Sequence, residues 1–339
     1  MQVLVTGATG LVGNNVVRKL IARKHSVRVL LRHNSSTRPL QDLSVEKAIG
    51  DICDLNSLRN ACHEVDAVVH AAGLITLGWT EREKSRAINV DGSRNVAVAA
   101  RECNARMIHV SSVDTLGTGQ SDAWANEVDQ FGAKIPCTYV VTKREAEEAI
   151  LDECRRGSDI VIVNPGFMLG PWDWKPSSGR MLLNVAHGFI PLAPSGGFNV
   201  CDVRDVATGI VNTIELGKTG ERYILGGHNI TYFDAWCLFA AVTQSKKPWG
   251  KFGIGIGSLL GAWGDLCSKI SGREPAVNSA SIKMARLFHY YSSNKAQTEL
   301  GYTCRPLEES VQDAWNWFKN HSNFTQPIGV FSTRRSQPV

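Results

Sequence analysis

Several features that mark a specialised class of protein are absent from this chain of 339 residues. Its nine cysteines form no C-x-x-C pair and no Cys/His cluster at zinc spacing, so we predict no metal site. Their dispersal and odd number indicate reduced thiols, which are typical of a cytoplasmic protein. Lys and Arg form no stripe and the formal charge is only +5, which argues against a nucleic-acid partner.

No segment has the pattern of a secretion signal or a membrane span. A strand-like run at residues 2–5 directly follows Met1 and leaves no room for the charged and apolar regions of a signal peptide. The apolar stretch 252–267 contains five glycines and one aspartate and is shorter than the roughly 20 residues that a span needs. We predict a buried or lid segment there; contact with a membrane interface is the less favoured interpretation.

The first half of the chain alternates short β-branched runs with helical stretches. The predicted strands are residues 2–5, 27–31, 45–49, 67–70, 107–110 and 160–163. Each is largely apolar on both faces, as in a parallel sheet that helices cover on both sides. Apolar residues make up 43% of the chain, which is enough for a substantial core. We therefore predict an α/β fold with a doubly wound parallel sheet.

A glycine-rich turn lies between the first predicted strand and the first helix. Gly7 permits the tight turn, Gly10 lets backbone amides approach a pyrophosphate, and Gly13 lets the helix lie close to the strand. Three glycines at this spacing are weak evidence in a chain with 31 glycines, but their place between strand and helix is specific. The turn therefore predicts a dinucleotide site.

The end of the second predicted strand carries Arg32 instead of a carboxylate. A carboxylate there would accept hydrogen bonds from the ribose hydroxyls of NAD, whereas an arginine pairs with the 2′-phosphate of NADP. We predict NADP as the cofactor, with NAD as the possible alternative and Arg38 as a second phosphate contact. The competing interpretation of Arg32 is an ordinary solvated side chain.

Two further strand ends supply candidate cofactor contacts. Asp51 and Ile52 follow the third strand and offer an acceptor and an apolar wall to an adenine. Ala71, Ala72 and Gly73 follow the fourth strand and are small enough for backbone to approach a ligand. The carboxyl ends of parallel strands share one edge of the sheet, so these residues predict a crevice there.

A possible site for carbonyl and alcohol chemistry is formed by Ser112, Tyr139 and Lys143. Ser112 ends the fifth predicted strand, and the four-residue spacing of the other two places them on one helix face. We expect Lys143 to lower the pKa of the tyrosine, so that Tyr139 exchanges a proton with a substrate oxygen held by Ser112. A second Tyr-x-x-x-Lys match, Tyr291 and Lys295, lacks a preceding strand that ends in serine, so Tyr139 is preferred.

The chain is predicted to divide into three parts. Residues 1–164 form a Rossmann dinucleotide-binding domain. Residues 165–322 form a smaller, mixed substrate-binding part with a sheet extension and C-terminal helices, including one at 307–318. Residues 323–339 have few apolar residues and are predicted to be a flexible tail.

Over residues 2–321 the sequence resembles the extended short-chain dehydrogenase/reductase family, also called the NAD-dependent epimerase/dehydratase family. The elements that carry the resemblance are the glycine turn and residues 50–52, 70–73, 89–92, 110–117, 139–143, 164–165 and 170–171. The pair Asn164 and Pro165, together with Arg32, is most similar to the branch of dihydroflavonol reductases, 3β-hydroxysteroid dehydrogenases and hopanoid-associated epimerase-like proteins.

The resemblance implies roles for individual residues. It makes Ser112 the catalytic serine, gives Lys143 a second role at the nicotinamide ribose, and places Pro165 and Met168 beside the nicotinamide. It also implies a homodimer formed through helices near 89–101 and 136–154. The full set of predicted cofactor contacts is Gly7, Thr9, Gly10, Leu11, Val12, Gly13, Arg32, Asp51, Ile52, Ala71, Ala72, Gly73, Tyr139, Lys143, Pro165 and Met168.

Three functions remain open at this point. The leading prediction is an NADP-linked oxidoreductase that interconverts a small-molecule ketone and a secondary alcohol, in a pocket walled by Trp79, Trp172 and Trp174 unless these are core residues. The second is an epimerase of a sugar or nucleotide sugar with a retained cofactor, in which Arg180 or Arg222 grips an anionic group. The third is a non-catalytic NADP-binding sensor or scaffold.

Overall fold

The computed structural model of the protein describes residues 1–129 and 134–321, so the predicted tail at 323–339 lies outside the described residues. The strands are β1 (Gln2–Thr6), β2 (Ser26–Leu31), β3 (Glu46–Ile49), β4 (Ala67–His70), β5 (Arg106–Val110), β6 (Ile160–Pro165), β7 (Phe167–Leu169), β8 (Leu192–Ala193), β9 (Gly197–Asp202), β10 (Arg222–Leu225), β11 (His228–Thr231), β12 (Gly250–Lys251) and β13 (Phe288–His289). The α-helices are α1 (Leu11–Ala22), α2 (Leu55–Cys62), α3 (Arg82–Arg86), α4 (Gly92–Glu102), α5 (Thr138–Arg155), α6 (Gly179–His187), α7 (Val203–Leu216), α8 (Tyr232–Thr243), α9 (Ile254–Ser271), α10 (Ser279–Met284), α11 (Asn294–Leu300) and α12 (Leu307–Lys319).

The main sheet has seven parallel strands in the order β10-β6-β5-β4-β1-β2-β3. All six predicted strands are present, and the doubly wound fold is confirmed. The order in which the chain adds strands to the sheet reverses between β1 and β4, although all strands stay parallel. Folds of this type bind ligands at that switch point. The seventh strand, β10, comes from beyond residue 164 and supplies the expected sheet extension, while the division into domains stays a prediction.

Successive apolar side chains of a strand point to opposite faces of the sheet, and each face has its own hydrophobic core. On one face, Val3 and Val5 pack against Val16 and Leu20 of α1 and against α7. On the other face, Leu4 and its neighbours pack against α2, α4 and α5. Burial on both faces is why the inner strands read as continuous apolar runs. The prediction was wrong for β3, which lies at the edge of the sheet and is mostly exposed. The two layers of helices hold the carboxyl ends of the strands at one edge.

The second part of the chain forms a smaller mixed structure over this edge. Strands β7, β11 and β13 pair with β9, and helices α6, α8 and α12 enclose a third core. The predicted closing helix is present as α12. Its buried face includes Trp317 and Phe318, whereas Trp315, which we placed on that face from spacing alone, is only partly buried.

The apolar segment 252–267 is not buried as we predicted. It forms most of α9, whose buried positions are small residues and whose large apolar side chains are exposed. The sequence did not reveal this, because an apolar stripe at helical spacing ordinarily faces the core. Among the residues that the structure describes, no helix is both long and apolar enough to cross a bilayer.

Candidate active site

The glycine turn connects β1 directly to the N-terminus of α1. Gly7 has a φ of +69°, and a Cβ on it would lie 2.7 Å from the carbonyl carbon of Ala71. The amide of Gly10 donates to the carbonyl oxygen of Gly7 at 2.9 Å, which closes the turn. A Cβ on Gly13 would lie 2.6 Å from the carbonyl carbon of Gly7. Both positions therefore require glycine for steric reasons, as the sequence predicted.

The loop after β4 lies beside this turn. The amides of Ala71 and Ala72 donate to the backbone oxygen and the Oγ1 of Thr6, each at 3.3 Å. Asn89 holds the other end of the loop, because its Oδ1 accepts from the amide of Leu74 at 2.7 Å. The Nδ2 of Asn89 also lies 3.1 Å from the Oγ1 of Thr142 on α5. Asn89 thus ties the predicted cofactor loop to the helix that carries Tyr139 and Lys143.

The predicted adenosine contacts stand at the ends of β2 and β3. Arg32 directly follows β2, is partly exposed, and has no side-chain hydrogen bond or ion pair among residues 1–129 and 134–321. Asp51 follows β3, and its Oδ1 accepts from the amide of Cys53 at 2.9 Å. The guanidinium of Arg38 lies 5.1 Å from the ring centre of Trp174. Contact of these residues with a cofactor stays a prediction.

The three predicted catalytic side chains converge at the carboxyl end of β5. Ser112 is buried, and its Oγ accepts from the amide of Asp114 at 3.1 Å. Tyr139 and Lys143 lie in the first two turns of α5. The Nζ of Lys143 donates to the carbonyl oxygen of Val110 at 3.0 Å, which places the amine at the end of the same strand. Pro165 ends the neighbouring β6, and Met168 lies in β7.

The pKa of Tyr139 differs from the sequence-based expectation. Burial raises it above its usual value and the nearby carboxylate of Asp114 adds to the rise, while Ser112 acts against it. Burial also lowers the pKa of Lys143 to about 8, although the carboxylate of Glu147 acts to raise it. Loss of water around the phenol and the charge of Asp114 disfavour the phenolate more than the hydrogen bond with Ser112 favours it. Tyr139 is therefore protonated at neutral pH in the protein alone.

A buried cluster of three titratable side chains lies near Tyr139 and was not predicted from the sequence. The Nζ of Lys134 donates to Asp114 at 2.9 Å, and the Nδ1 of His289 lies 3.6 Å from the same carboxylate oxygen. Burial lowers the pKa of His289 to about 4, so this histidine is neutral. Burial acts to raise the pKa of Asp114, but the ammonium of Lys134 outweighs it and the pKa is lowered. The three residues come from distant segments, and no sequence spacing connects them.

A second group of side chains, which we did not predict from the sequence, connects the segment that contains Ser112 to α5. Glu147 is buried four residues beyond Lys143, and its Oε1 accepts from the Nδ2 of Asn164 at 2.7 Å. Asn164 also donates to the carbonyl oxygen of Ser112 at 3.0 Å. The other carboxylate oxygen of Glu147 accepts from the Nε of Arg222 at 2.8 Å. The four-residue spacing of Tyr139, Lys143 and Glu147 was a signal for this role that we did not use.

The second Tyr-x-x-x-Lys match has a structural role. Tyr291 is buried, and its hydroxyl lies 3.0 Å from the carbonyl oxygens of Val113 and Gly117. Lys295 lies in α11 and pairs with Glu221 at 2.6 Å. Tyr291 therefore braces the loop that follows Ser112, while Lys295 is engaged in a separate ion pair.

The three candidate pocket tryptophans do not form one wall. Trp172 and Trp174 are partly buried and pack against the third core. Trp79 is exposed on the loop before α3, and its Nε1 donates to the Oγ of Ser279 at 2.8 Å. Only Trp79 therefore lies on the side of the molecule where α10 meets α5.

Known proteins are similar to this chain in fold and in sequence. A model of the NAD dependent epimerase/dehydratase family matches residues 3–226. The putative dihydroflavonol 4-reductase of Synechocystis sp. is 34% identical over 94% of each chain. The sterol demethylase protein B of Methylococcus capsulatus is 32% identical over 94% of this chain and 98% of its own. The crystal structure of gox2253 aligns with a TM-score of 0.83 and 34% identity, covering 94% of this chain and 98% of that one.

The family match extends over well more than half of the chain, and it includes the glycine turn and the residues Ser112, Tyr139 and Lys143. Both relatives align over nearly their whole lengths. The chain therefore belongs to the NAD dependent epimerase/dehydratase family and is an enzyme of the short-chain dehydrogenase/reductase type.

Proposed function

We propose that the protein is an NADP-linked oxidoreductase that interconverts a ketone and a secondary alcohol, with Tyr139 as the acid and base. The observation that carries this proposal is the convergence of Ser112, Tyr139 and Lys143 at the end of β5, beside the glycine turn and the loop after β4. The names of the two relatives, a reductase and a sterol-modifying protein, support a bulky apolar substrate.

Each side chain has a defined task in this reaction. When bound, the nicotinamide supplies hydride to the carbonyl carbon or accepts it from the alcohol carbon. Ser112 donates a hydrogen bond to the substrate oxygen, and the protonated Tyr139 gives that oxygen the proton that completes the alcohol. Lys143 keeps a positive charge near the tyrosine as the proton leaves. The raised pKa of Tyr139 supports the reducing direction, in which the tyrosine must start protonated.

The residues at the switch point fit a dinucleotide. A Cβ on Gly10 would meet only the carbonyl oxygen of Gly7, at 3.3 Å, so the remaining space above the turn is open to a pyrophosphate. Thr9, Leu11 and Val12 surround the same turn, and the N-terminus of α1 points toward it. Arg32 has a guanidinium without a partner among the described residues, which suits a 2′-phosphate.

The cofactor preference gives the first prediction. Arg32→Asp removes the phosphate partner and introduces an acceptor for ribose hydroxyls, so the preference for NADPH over NADH in kcat/KM should fall about 10- to 100-fold. Steady-state rates with both cofactors measure this. Arg38→Ala should give a smaller change in the same direction. An unchanged cofactor ratio in Arg32→Asp would show that the arginine is merely solvated.

The pH dependence gives the second prediction. Lys143 has a pKa of about 8, so the reduction rate should fall as the pH rises through that value and the ammonium is lost. Glu147→Gln removes the charge that raises the pKa of Lys143 but keeps an amide able to bond Thr115. The decline should therefore move to lower pH in a kcat/KM profile. Glu148→Gln, at the exposed neighbouring position, is the matched control and should leave the profile in place. If Glu147→Gln left the pH profile of kcat/KM unchanged, deprotonation of Lys143 would not be the cause of the rate decline at high pH.

In the epimerase alternative, Arg180 or Arg222 would grip an anionic group of the substrate. The Nε of Arg222 is paired with the buried Glu147, and the Nη2 of Arg180 donates to the carbonyl oxygen of Pro176 at 3.3 Å. Two measurements on the purified protein separate the functions: a mass spectrum of any carried-over nucleotide and the stoichiometry of NADPH consumption. One NADPH consumed per ketone supports the oxidoreductase. Tightly bound cofactor with no net redox supports the epimerase.

The assembly and location are also proposed. A homodimer through α4 and α5 is the assembly that the family resemblance implies, and the mass of the protein by light scattering tests it. The nine free thiols agree with a cytoplasmic location.

A further inference from the structure

Helix α9 carries its large apolar side chains on the side that faces solvent. Leu259, Trp263 and Ile270 are 74, 59 and 80% exposed. Ile256 and Leu266 are exposed on the same stripe, at helical spacing. We call these five residues the α9 apolar face. Contiguous apolar surface of this kind marks an interaction site.

The opposite side of α9 fixes this orientation. Its buried positions are Gly257, Gly261, Gly264 and Ser268. A Cβ on Gly264 would lie 2.9 Å from the carbonyl carbon of Val277, so only glycine allows this approach to the segment before α10. The Oδ1 of Asp265 accepts from the amide of Ser279 at 3.0 Å and anchors the helix to the start of α10. The helix therefore cannot rotate to bury its leucines and tryptophan.

The segment around the α9 apolar face is basic. Residues 246–286 contain seven Lys and Arg and two Asp and Glu, a surplus of five positive charges, and the whole chain has a net charge of +5. Both acidic side chains accept hydrogen bonds: Asp265 from the amide of Ser279, and Glu274 from the amide of Thr80 at 2.9 Å. The exposed basic side chains are Lys246, Lys247, Lys251, Lys269, Arg273 and Lys283.

We propose that the α9 apolar face docks the enzyme on an anionic lipid bilayer, with α9 lying in the plane of the interface. An exposed apolar stripe with a tryptophan, in a segment whose basic side chains are also mostly exposed, has the chemistry of an interfacial helix: the apolar side chains enter the acyl boundary while the cations meet anionic headgroups. The helix has 18 residues and is therefore about 27 Å long.

The positive charge of this segment favours an anionic bilayer over a second copy of the chain as the partner of the α9 apolar face. A two-fold contact would place the same basic segment against itself, because a symmetric interface brings identical patches together. Five surplus positive charges on each copy would then repel, whereas an anionic membrane attracts them. The homodimer proposed above uses α4 and α5 and leaves α9 free.

Docking at this face would bring the bilayer close to the active site. Helix α10, on which α9 packs, contributes Ala280 and Met284 to a cluster with Cys137 and Val140, and Tyr139 packs against this cluster. Only α9 itself and α10 therefore lie, among the described elements, between the α9 apolar face and Tyr139. The docking itself does not depend on the proposed reaction.

Cosedimentation of the full chain with vesicles tests the proposal. The protein should bind vesicles of mixed phosphatidylglycerol and phosphatidylcholine at low salt and bind vesicles of phosphatidylcholine alone more weakly. The double variant Leu259→Ser, Trp263→Ser should lower the partition coefficient about tenfold or more. The matched control is Leu216→Ser, Trp124→Ser, which alters residues that are 53 and 58% exposed elsewhere and should bind like the parent. Thermal unfolding of both variants confirms that they are folded.

A charge variant completes the test. Lys251→Glu with Lys269→Glu should weaken binding to the anionic vesicles by about fivefold or more per residue and reduce its salt dependence. The proposal is overturned if the parent protein does not sediment with anionic vesicles at low salt. It is equally overturned if both double serine variants bind alike, or if light scattering shows a dimer that only Leu259→Ser, Trp263→Ser dissociates while vesicle binding is absent.

Discussion

Tyr139→Phe should reduce ketone reduction about 100- to 10,000-fold, because it removes the hydroxyl to which we assign the proton transfer to the substrate oxygen. The ring itself stays in place, since Tyr139 packs against the cluster formed by Cys137, Val140 and α10 through its carbon atoms. The dissociation constant of NADPH, measured by fluorescence titration, should change little. Loss of turnover with retained cofactor binding would also exclude the sensor or scaffold for the parent enzyme.

Tyr291→Phe is the matched control for this experiment. Tyr291 also precedes a lysine by four residues, but its hydroxyl braces the carbonyl oxygens of Val113 and Gly117. Loss of that hydrogen bond should lower the unfolding free energy by about 1–3 kcal/mol while leaving most of the turnover. If Tyr139→Phe kept its turnover and Tyr291→Phe lost it, the assignment of the catalytic tyrosine would be wrong.

Gly13→Ala should weaken NADPH binding about tenfold or more and lower the unfolding free energy by about 1–3 kcal/mol. The added methyl group would lie 2.6 Å from the carbonyl carbon of Gly7 and 2.9 Å from the Cα of Ala8. These are backbone atoms, so α1 and the glycine turn must move apart. The turn would then lose the shape on which the pyrophosphate is expected to rest. Titration with NADPH and thermal unfolding measure the two effects.

Gly255→Ala provides the control for the same change of residue. Gly255 also lies in a helix, but a Cβ there would meet nothing within 4 Å. Alanine favours the helix over glycine, so stability should stay level or rise slightly, and NADPH binding should not change. Equal effects of the two variants would mean that the close contact at Gly13 is unimportant.

The structure also shows why some site residues were invisible in the sequence. Glu147 and Arg222 are 75 residues apart, and they meet only because β10 joins the sheet next to β6. Lys134, Asp114 and His289 come from three segments that no common motif links. The raised pKa of Tyr139 depends on this burial and on the Asp114 carboxylate, so the sequence-based expectation of an acidic tyrosine failed.

The sequence by itself determined the parallel sheet, the glycine turn and the relation of Tyr139 to Lys143, because each of these depends on neighbours within one element or one turn. Strand burial, the order of strand, turn and helix, and a four-residue helical spacing are all local. Tertiary structure alone decided which face of α9 is exposed, since the close approach of Val277 and Ser279 admits glycines and excludes large side chains. It also decided the protonation of the active site, because burial and charges from distant segments set the pKa values there.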